Sequence, residues 1–181
     1  MIITISGRAG SGKSTIGRLL AKKLHCKFYS MGDVRRKMAR EMGLTILQLN
    51  RLAEKDPSSD VKVDRYQSKL AKKEKKFVID SRLGYLFIPE SIKIFLDADI
   101  NVRAKRIFKD SLRGKEEKTL SALQTKKELI AREKSDIKRY RKLYRTNPYE
   151  PKHYDLLVNT TKSAPAEIIR TILKYLKLRK L

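Results

Sequence analysis

Residues 7–14 read Gly-Arg-Ala-Gly-Ser-Gly-Lys-Ser, a G-x-x-x-x-G-K-[ST] loop. It follows the β-branched run 2–6 (IITIS) and precedes the helical repeat Ile16, Leu19, Leu20, Leu24. A strand, a glycine loop and a helix opening on that loop form the first unit of a parallel sheet with helices on its faces. The glycines let successive backbone N–H groups turn into one concavity, and the helix N-terminus adds partial positive charge there. Gly7, Arg8, Ala9, Gly10, Ser11 and Gly12 are therefore expected to cradle phosphates. Lys13 is expected to reach the β- and γ-phosphates, Ser14 to hold Mg²⁺, and Thr15 to touch the α-phosphate. Binding of ATP or GTP is the first functional inference.

The rest of the chain keeps the alternation. Residues 27–30 give a second short strand, and helical segments follow at about 33–42, 45–54 and 59–74. Thr45-Ile-Leu-Gln48 has the form of a capping box. Phe77-Val-Ile79 is a strand ending at Asp80, and Ile92–Leu96 is another ending at Asp97. A helix is expected over about 100–112, a break at Arg113-Gly-Lys115, and a long basic helix over about 119–144. A last strand at Tyr154–Val158 leads to a helix that starts at Ser163-Ala-Pro165 and ends near Lys177. Short apolar strands between helices indicate a single α/β domain with a buried parallel sheet.

Composition removes other classes. With one cysteine, Cys26, in 181 residues there is neither an intrachain disulfide nor a multi-cysteine zinc site, and Cys26 reads as a small buried hydrophobe. His25 and His153 are too few and too distant for a metal site. No apolar run approaches the roughly 20 residues of a membrane span. The start MIITISG lacks a basic n-region and runs straight into a strand, so a cytoplasmic protein is expected. The formal charge is +24 (44 Lys and Arg against 20 Asp and Glu), which favours polyanionic partners: nucleotides, phosphorylated metabolites or nucleic acid. No Asn-Lys-x-Asp motif reads a guanine base, and a motor ATPase needs more chain. A small kinase fits best, and it needs arginines that converge on a second, phosphorylated substrate.

Candidates lie where strands end. Asp33 and Arg36 follow the second strand; Asp33 caps the helix or organises the acceptor, and Arg36 binds an acceptor phosphate or is solvated. Asp80 and Arg82 close the third strand, where Asp80 is suited to the Mg²⁺ water shell and Arg82 to acceptor phosphate. Asp97 closes the fourth. In Asp64-Arg65-Tyr66-Gln67, Asp and Gln have the groups to read a base edge. Arg132, Lys138, Arg139, Arg141, Lys142 and Arg145 crowd the long helix beside Tyr140 and Tyr144, and Arg132 and Arg139 share a face. That stretch suits a lid, an RNA-binding helix or a solvated basic surface.

In order, the segments GRAGSGKST, SMGDVRRKMA, EKDPSSDVKVDRYQ, VIDSRL, IKIFLDADINVRAKRI, REKSDIKRYRKLY and YDLLVNT resemble the nucleoside monophosphate kinases, most closely the archaeal-type cytidylate kinases, over nearly the whole chain. The resemblance implies a P-loop fold with a five-stranded parallel core, an NMP-binding insertion at about 31–75 and a lid at about 108–145. It implies transfer of the γ-phosphoryl of ATP to CMP or dCMP with Mg²⁺. It assigns Lys13 and Ser14 to the donor phosphates, Arg36 and Arg82 to the acceptor phosphate, and Arg132 and Arg139 to the lid. Arg106 would lie against the donor adenine, and Asp64, Arg65 and Gln67 on the cytosine side. The chain departs from the family pattern on the acceptor and lid sides. Asp80-Ser81-Arg82 stands for E-G-R, Tyr66 for the second Arg of DRRQ, and Arg35 for an aromatic. A further lid arginine falls at Arg113 or is lost. Two other readings stay open: a kinase for AMP or UMP, and an RNA- or ribosome-associated NTPase on the same fold. A monomer is expected.

Overall fold

The computed structural model describes residues 1–110 and 121–179. Five strands, β1 (Ile2–Gly7), β2 (Lys27–Ser30), β3 (Phe77–Asp80), β4 (Ile92–Asp97) and β5 (Leu156–Asn159), form one sheet in the order β2-β3-β1-β4-β5. Every neighbouring pair is parallel. β1 lies in the centre and is buried at all six positions, which is why its sequence reads as an unbroken apolar run.

Alternate residues feed the two faces. Ile3, Ile5, Ile94 and Leu96 pack with Ile16 and Leu20 of α1 (Lys13–Lys23) and with Ile168, Ile172 and Leu176 of α8 (Pro165–Leu178). Ile2, Phe77 and Ile79 pack on the other side with Met31 of α2 (Met31–Glu41), and with Val63 and Leu70 of α4 (Ser58–Lys73). Cys26 packs against the first cluster, and burial pushes its thiol pKa up, as suits an unreactive hydrophobe.

Between β2 and β3 the chain leaves the sheet for α2, α3 (Ile46–Lys55) and α4. Ser30 ends β2 and also caps α2, its Oγ accepting from the Asp33 N–H at 3.1 Å. The strand thus passes into the helix without a loop, and α2 begins two residues earlier than the sequence pattern suggests. The Thr45–Gln48 capping box forms as expected. The four-residue α5 (Gly84–Phe87) was not expected, because one turn shows no periodicity. Asp99, not Asp97, caps α6 (Ile100–Lys109), accepting from Asn101 and Val102 N–H. The break expected at Arg113–Lys115 lies outside the described residues. The long basic helix α7 (Ala122–Tyr144) packs on both α6 and α3, so it reaches from the sheet to the β2–β3 helices. A 3-10 turn at Pro151–His153 precedes the last strand, and β5 runs Leu156–Asn159, two residues later in its start than the expected Tyr154. No helix of the described residues is long and apolar enough to cross a membrane.

Candidate active site

The strand ends align: Asp80 is in register with Ile5 of β1 and with Ser30 of β2. The glycine loop, the start of α2 and the Asp80–Arg82 turn therefore share one sheet edge. Gly7 has φ +142°, and a Cβ there would meet the Leu96 carbonyl oxygen at 2.0 Å, so only glycine fits. Gly12 sits at the N-cap of α1 in the left-handed region (φ 94°) and offers no side chain to the helix N–H groups. Those N–H groups are left for a ligand. The buried Ser11 hydroxyl has no hydrogen-bond partner. Lys13 Nζ donates to the Arg8 carbonyl at 2.9 Å. Ser14 Oγ donates to Asp80 Oδ2 at 2.6 Å. A hydroxyl beside a carboxylate is a hard-oxygen donor set of the kind Mg²⁺ accepts when it arrives with phosphates. Among the described residues no group of three or more His, Cys, Asp or Glu is placed to hold a metal by itself.

Two recesses flank the loop. One, of about 800 Å³, is lined by Lys13, Ser14, Arg35, Arg36, Asp60, Asp64, Asp80, Arg82, Arg132 and Tyr140, among others. The other, of about 710 Å³, is lined by Gly10, Ser11, Thr15, Arg106, Thr160 and neighbours. There Arg106 donates to Thr160 Oγ1 (3.1 Å) and to the Thr160 carbonyl (2.6 Å), and the Thr160 hydroxyl donates to the Ser11 carbonyl (2.9 Å). Arg106 is thereby tied to the loop itself.

Buried carboxylates hold the cations of the first recess. Asp136 on α7 takes Arg82 Nε at 2.7 Å, Arg139 Nη2 at 2.6 Å and the Tyr149 hydroxyl at 2.8 Å. Burial alone would raise its pKa, but Arg82, Arg139 and Arg132 outweigh burial and hold it below the usual carboxylate range. Asp60 on α4 accepts from Arg139 and, at 2.5 Å, from Arg35. On the loop side Glu133 binds Arg8 and takes Arg103 Nη1 at 2.6 Å.

The family model described as cytidylate kinase-like matches residues 2–162. The chain is 34% identical to the cytidylate kinase of Methanobrevibacter smithii, with 98% of this chain and 99% of that one covered. It is 38% identical to the cytidylate kinase of Halobacterium salinarum, with 96% and 88% covered. The chain belongs to the cytidylate kinase-like family. The fold extends further: an uncharacterised protein from Eubacterium ventriosum superposes with a TM-score of 0.67 at 22% identity, covering 98% of each chain. Shikimate kinase from Aquifex aeolicus superposes at 0.58 and 25% identity, covering 100% of this chain and 99% of that one.

Against the family pattern, the structure gathers most of the expected site residues at one edge. Lys13, Ser14, Arg36, Asp80, Arg82 and Arg132 line a single recess. Asp33 lies outside it and instead binds Arg36 and, at 3.2 Å, Arg18. Burial would raise the Asp33 pKa, but the two arginines hold it low. Arg139 lies behind the wall, 2% exposed, with both Nη atoms on carboxylates. Asp64 and Gln67 turn inward while Arg65 and Tyr66 between them face solvent, so Arg65 is not brought to the recess. Asp97 is half-exposed, accepts from its neighbour Ala98 N–H, and pairs loosely with Arg8 at 3.5 Å. Lys138, which pairs with Glu54, and Arg141, Lys142 and Arg145 are all exposed, so four of the six basic residues lie at the surface.

A polar chain runs inward from the first recess. Ser81 Oγ donates to Gln67 Oε1 (2.6 Å), Gln67 Nε2 to Asp64 Oδ1 (2.9 Å), and the Tyr144 hydroxyl to Asp64 Oδ2 (2.7 Å). The Ser81 hydroxyl is thereby engaged. Burial raises the Asp64 pKa to about 6. The residues the sequence did not single out are Asp60, Asp136, Glu133 and Tyr149. Asp136 is legible in hindsight: an acid three residues from Arg139 and four from Arg132 lies on their face of the helix.

Proposed function

We propose that this chain is an ATP-dependent cytidylate kinase that transfers the γ-phosphoryl of ATP to the phosphate of CMP or dCMP, giving CDP or dCDP. The observation that carries the reading is the convergence of Arg36, Arg82 and Arg132 on the recess that also receives Lys13 and the Ser14–Asp80 pair. In this scheme the donor phosphates lie in the Gly7–Gly12 loop, and the Arg106 recess takes the adenine. An oxygen of the CMP phosphate attacks the γ-phosphorus, the bond to the β-bridging oxygen breaks, and ADP leaves. No side chain is covalently modified. Lys13 and the arginines neutralise charge on the equatorial oxygens and hold the two phosphates in line. Ser14 would hold the Mg²⁺ that arrives with ATP and Asp80 would take its water shell, and the ion would supply charge neutralisation at the donor phosphates. Asp64 and Gln67 lie on the cytosine side. Residues 31–75 act as the acceptor-binding unit and 108–145 as the lid, which excludes water from the transferring phosphoryl. Arg139 acts from behind the wall by fixing Asp60 and Asp136.

Phosphoryl transfer from Mg-ATP to CMP, dCMP, UMP, AMP and GMP, with RNA as a separate addition, tests the reading. The expected result is a clear preference for CMP or dCMP. Lys13→Ala and Arg36→Ala are each expected to lose transfer by a few orders of magnitude while the fold is kept. No transfer to any monophosphate, with ATP hydrolysis rising when RNA is added, would replace it with the RNA-associated NTPase.

A further inference from the structure

Arg35 has no part in the scheme above, yet it lines the same recess. It precedes Arg36 on α2 and is only 7% exposed. Its Nε donates to Asn50 Oδ1 of α3 at 3.1 Å, and its Nη1 to Asp60 Oδ1 of α4 at 2.5 Å. Those two bonds fix the guanidinium plane. The third nitrogen, Nη2, is buried and has no hydrogen-bond partner among the described residues. A buried charged donor left unpaired is a standing cost, and one at a substrate recess marks the position of a ligand acceptor.

The neighbours indicate which part of the ligand. Asp60 and Asp64 are four residues apart on α4, so they share a helix face. Asp64 is close enough to feel the Arg35 charge, which pulls its carboxyl pKa back against the larger push from burial. The recess thus presents a carboxylate acceptor and a guanidinium donor on one wall. Cytosine offers the complement along one edge: the 4-amino group donates and ring N3 accepts. Uracil offers O4 and N3–H, which would set oxygen against carboxylate and N–H against N–H.

We infer that Arg35 is a specificity-determining residue of the acceptor site, donating from Nη2 to cytosine N3 while Asp64 accepts from the 4-amino group. This rests on the CMP reading above. Adenine carries a similar amino and ring-nitrogen edge, so the pair selects amino bases over keto bases, and recess size must exclude purines.

The test crosses a substrate analogue with a variant. For the wild-type enzyme, CMP is compared with UMP and with 3-deaza-CMP, which lacks only the N3 acceptor. KM for 3-deaza-CMP is expected to rise about tenfold or more over CMP, with kcat little changed. Arg35→Lys keeps a cation on Asp60 but cannot present a second fixed donor. It is expected to treat CMP and 3-deaza-CMP alike and to lower the CMP:UMP ratio of kcat/KM about tenfold. A purely structural Arg35 would lower kcat for all acceptors by one factor and leave that ratio alone. A CMP-preferring wild type that accepts 3-deaza-CMP as well as CMP overturns the role of Arg35 without any variant. A wild type that does not prefer CMP over UMP overturns the cytidylate kinase reading itself.

Discussion

Ser14 donates its hydroxyl to Asp80 across 2.6 Å, joining the first turn of α1 to the end of β3 although 66 residues separate them. On the reading proposed above, that carboxylate serves the water shell of a nucleotide-bound Mg²⁺. Asp80→Asn is therefore expected to lower kcat about ten- to a hundredfold and to raise the Mg²⁺ concentration needed for half-maximal transfer. Titrating Mg²⁺ at fixed ATP checks this. A variant with the wild-type Mg²⁺ dependence would put Asp80 outside the metal's reach.

Asp136 ties α7 to the sheet edge. It is 1% exposed and receives Arg82, Arg139 and the Tyr149 hydroxyl. Removing one partner of such a group strands the others, so Asp136→Ala is expected to cost about 3–5 kcal/mol in urea unfolding at pH 7. The acid dependence follows from the direction of its pKa. Burial opposes ionisation, but the arginines win, and the folded value lies below the ordinary 3.8. The stabilisation is present above that ordinary value and is lost as pH falls through the depressed one. The variant should therefore lose less stability than the wild type on acidification below about pH 4. An Asp136→Ala protein within 1 kcal/mol of wild type, on the order of a surface substitution, would show that the cluster contributes no net stability.

Asp64 behaves in the opposite sense. Burial raises its pKa to about 6 from 3.8, so the folded state prefers the proton. Ionisation costs nothing below about pH 4 and costs its full amount above about pH 6, up to about 3 kcal/mol. Asp64→Asn, nearly isosteric, removes that cost. Its melting temperature relative to wild type should rise as pH increases from 4 to 7. The CMP affinity should change in the other direction: an amide is a weaker acceptor for the 4-amino group, so KM for CMP should rise about tenfold. In the wild type, KM for CMP should rise as pH falls through about 6. A flat melting difference across that range would show that Asp64 titrates normally.

The parts legible in the sequence are those set by local rules. The glycine loop, the capping box at Thr45 and the apolar strands come from short-range sterics and periodicity, and they stand within a few residues of where the pattern puts them. Ser30 was harder, because one residue both ends a strand and caps a helix. Partner choice among charges was not legible. The resemblance assigns Arg139 to the lid, yet its guanidinium lies on Asp60 and Asp136, and Asp60 is 79 residues away. Arg65 and Gln67 lie two positions apart, and the helix turns one outward and the other into the core. Only the packing of α4 against its neighbours decides which. Arg35 looked like a departure from a pattern, and its burial becomes visible only when Asn50 and Asp60 close around it.

Arg106 lines a different recess from Arg36 and Arg82. Its guanidinium is held by two bonds to Thr160, whose hydroxyl is anchored on Ser11 of the glycine loop. The recess it lines with Gly10, Ser11 and Thr15 does not include Arg36, Arg82 or Asp64. A side chain fixed in this way can lie against a planar base with little entropy left to lose, which favours stacking of the cation on adenine. Arg106→Ala is expected to raise KM for ATP about tenfold, with KM for CMP unchanged. Because the Thr160–Ser11 bond survives the substitution, the loop keeps its shape, and kcat at saturating ATP should stay within about threefold of wild type. Steady-state kinetics with each substrate varied at saturation of the other provides the check. A rise confined to the KM for CMP would move Arg106 to the acceptor side and require the two recesses to exchange roles.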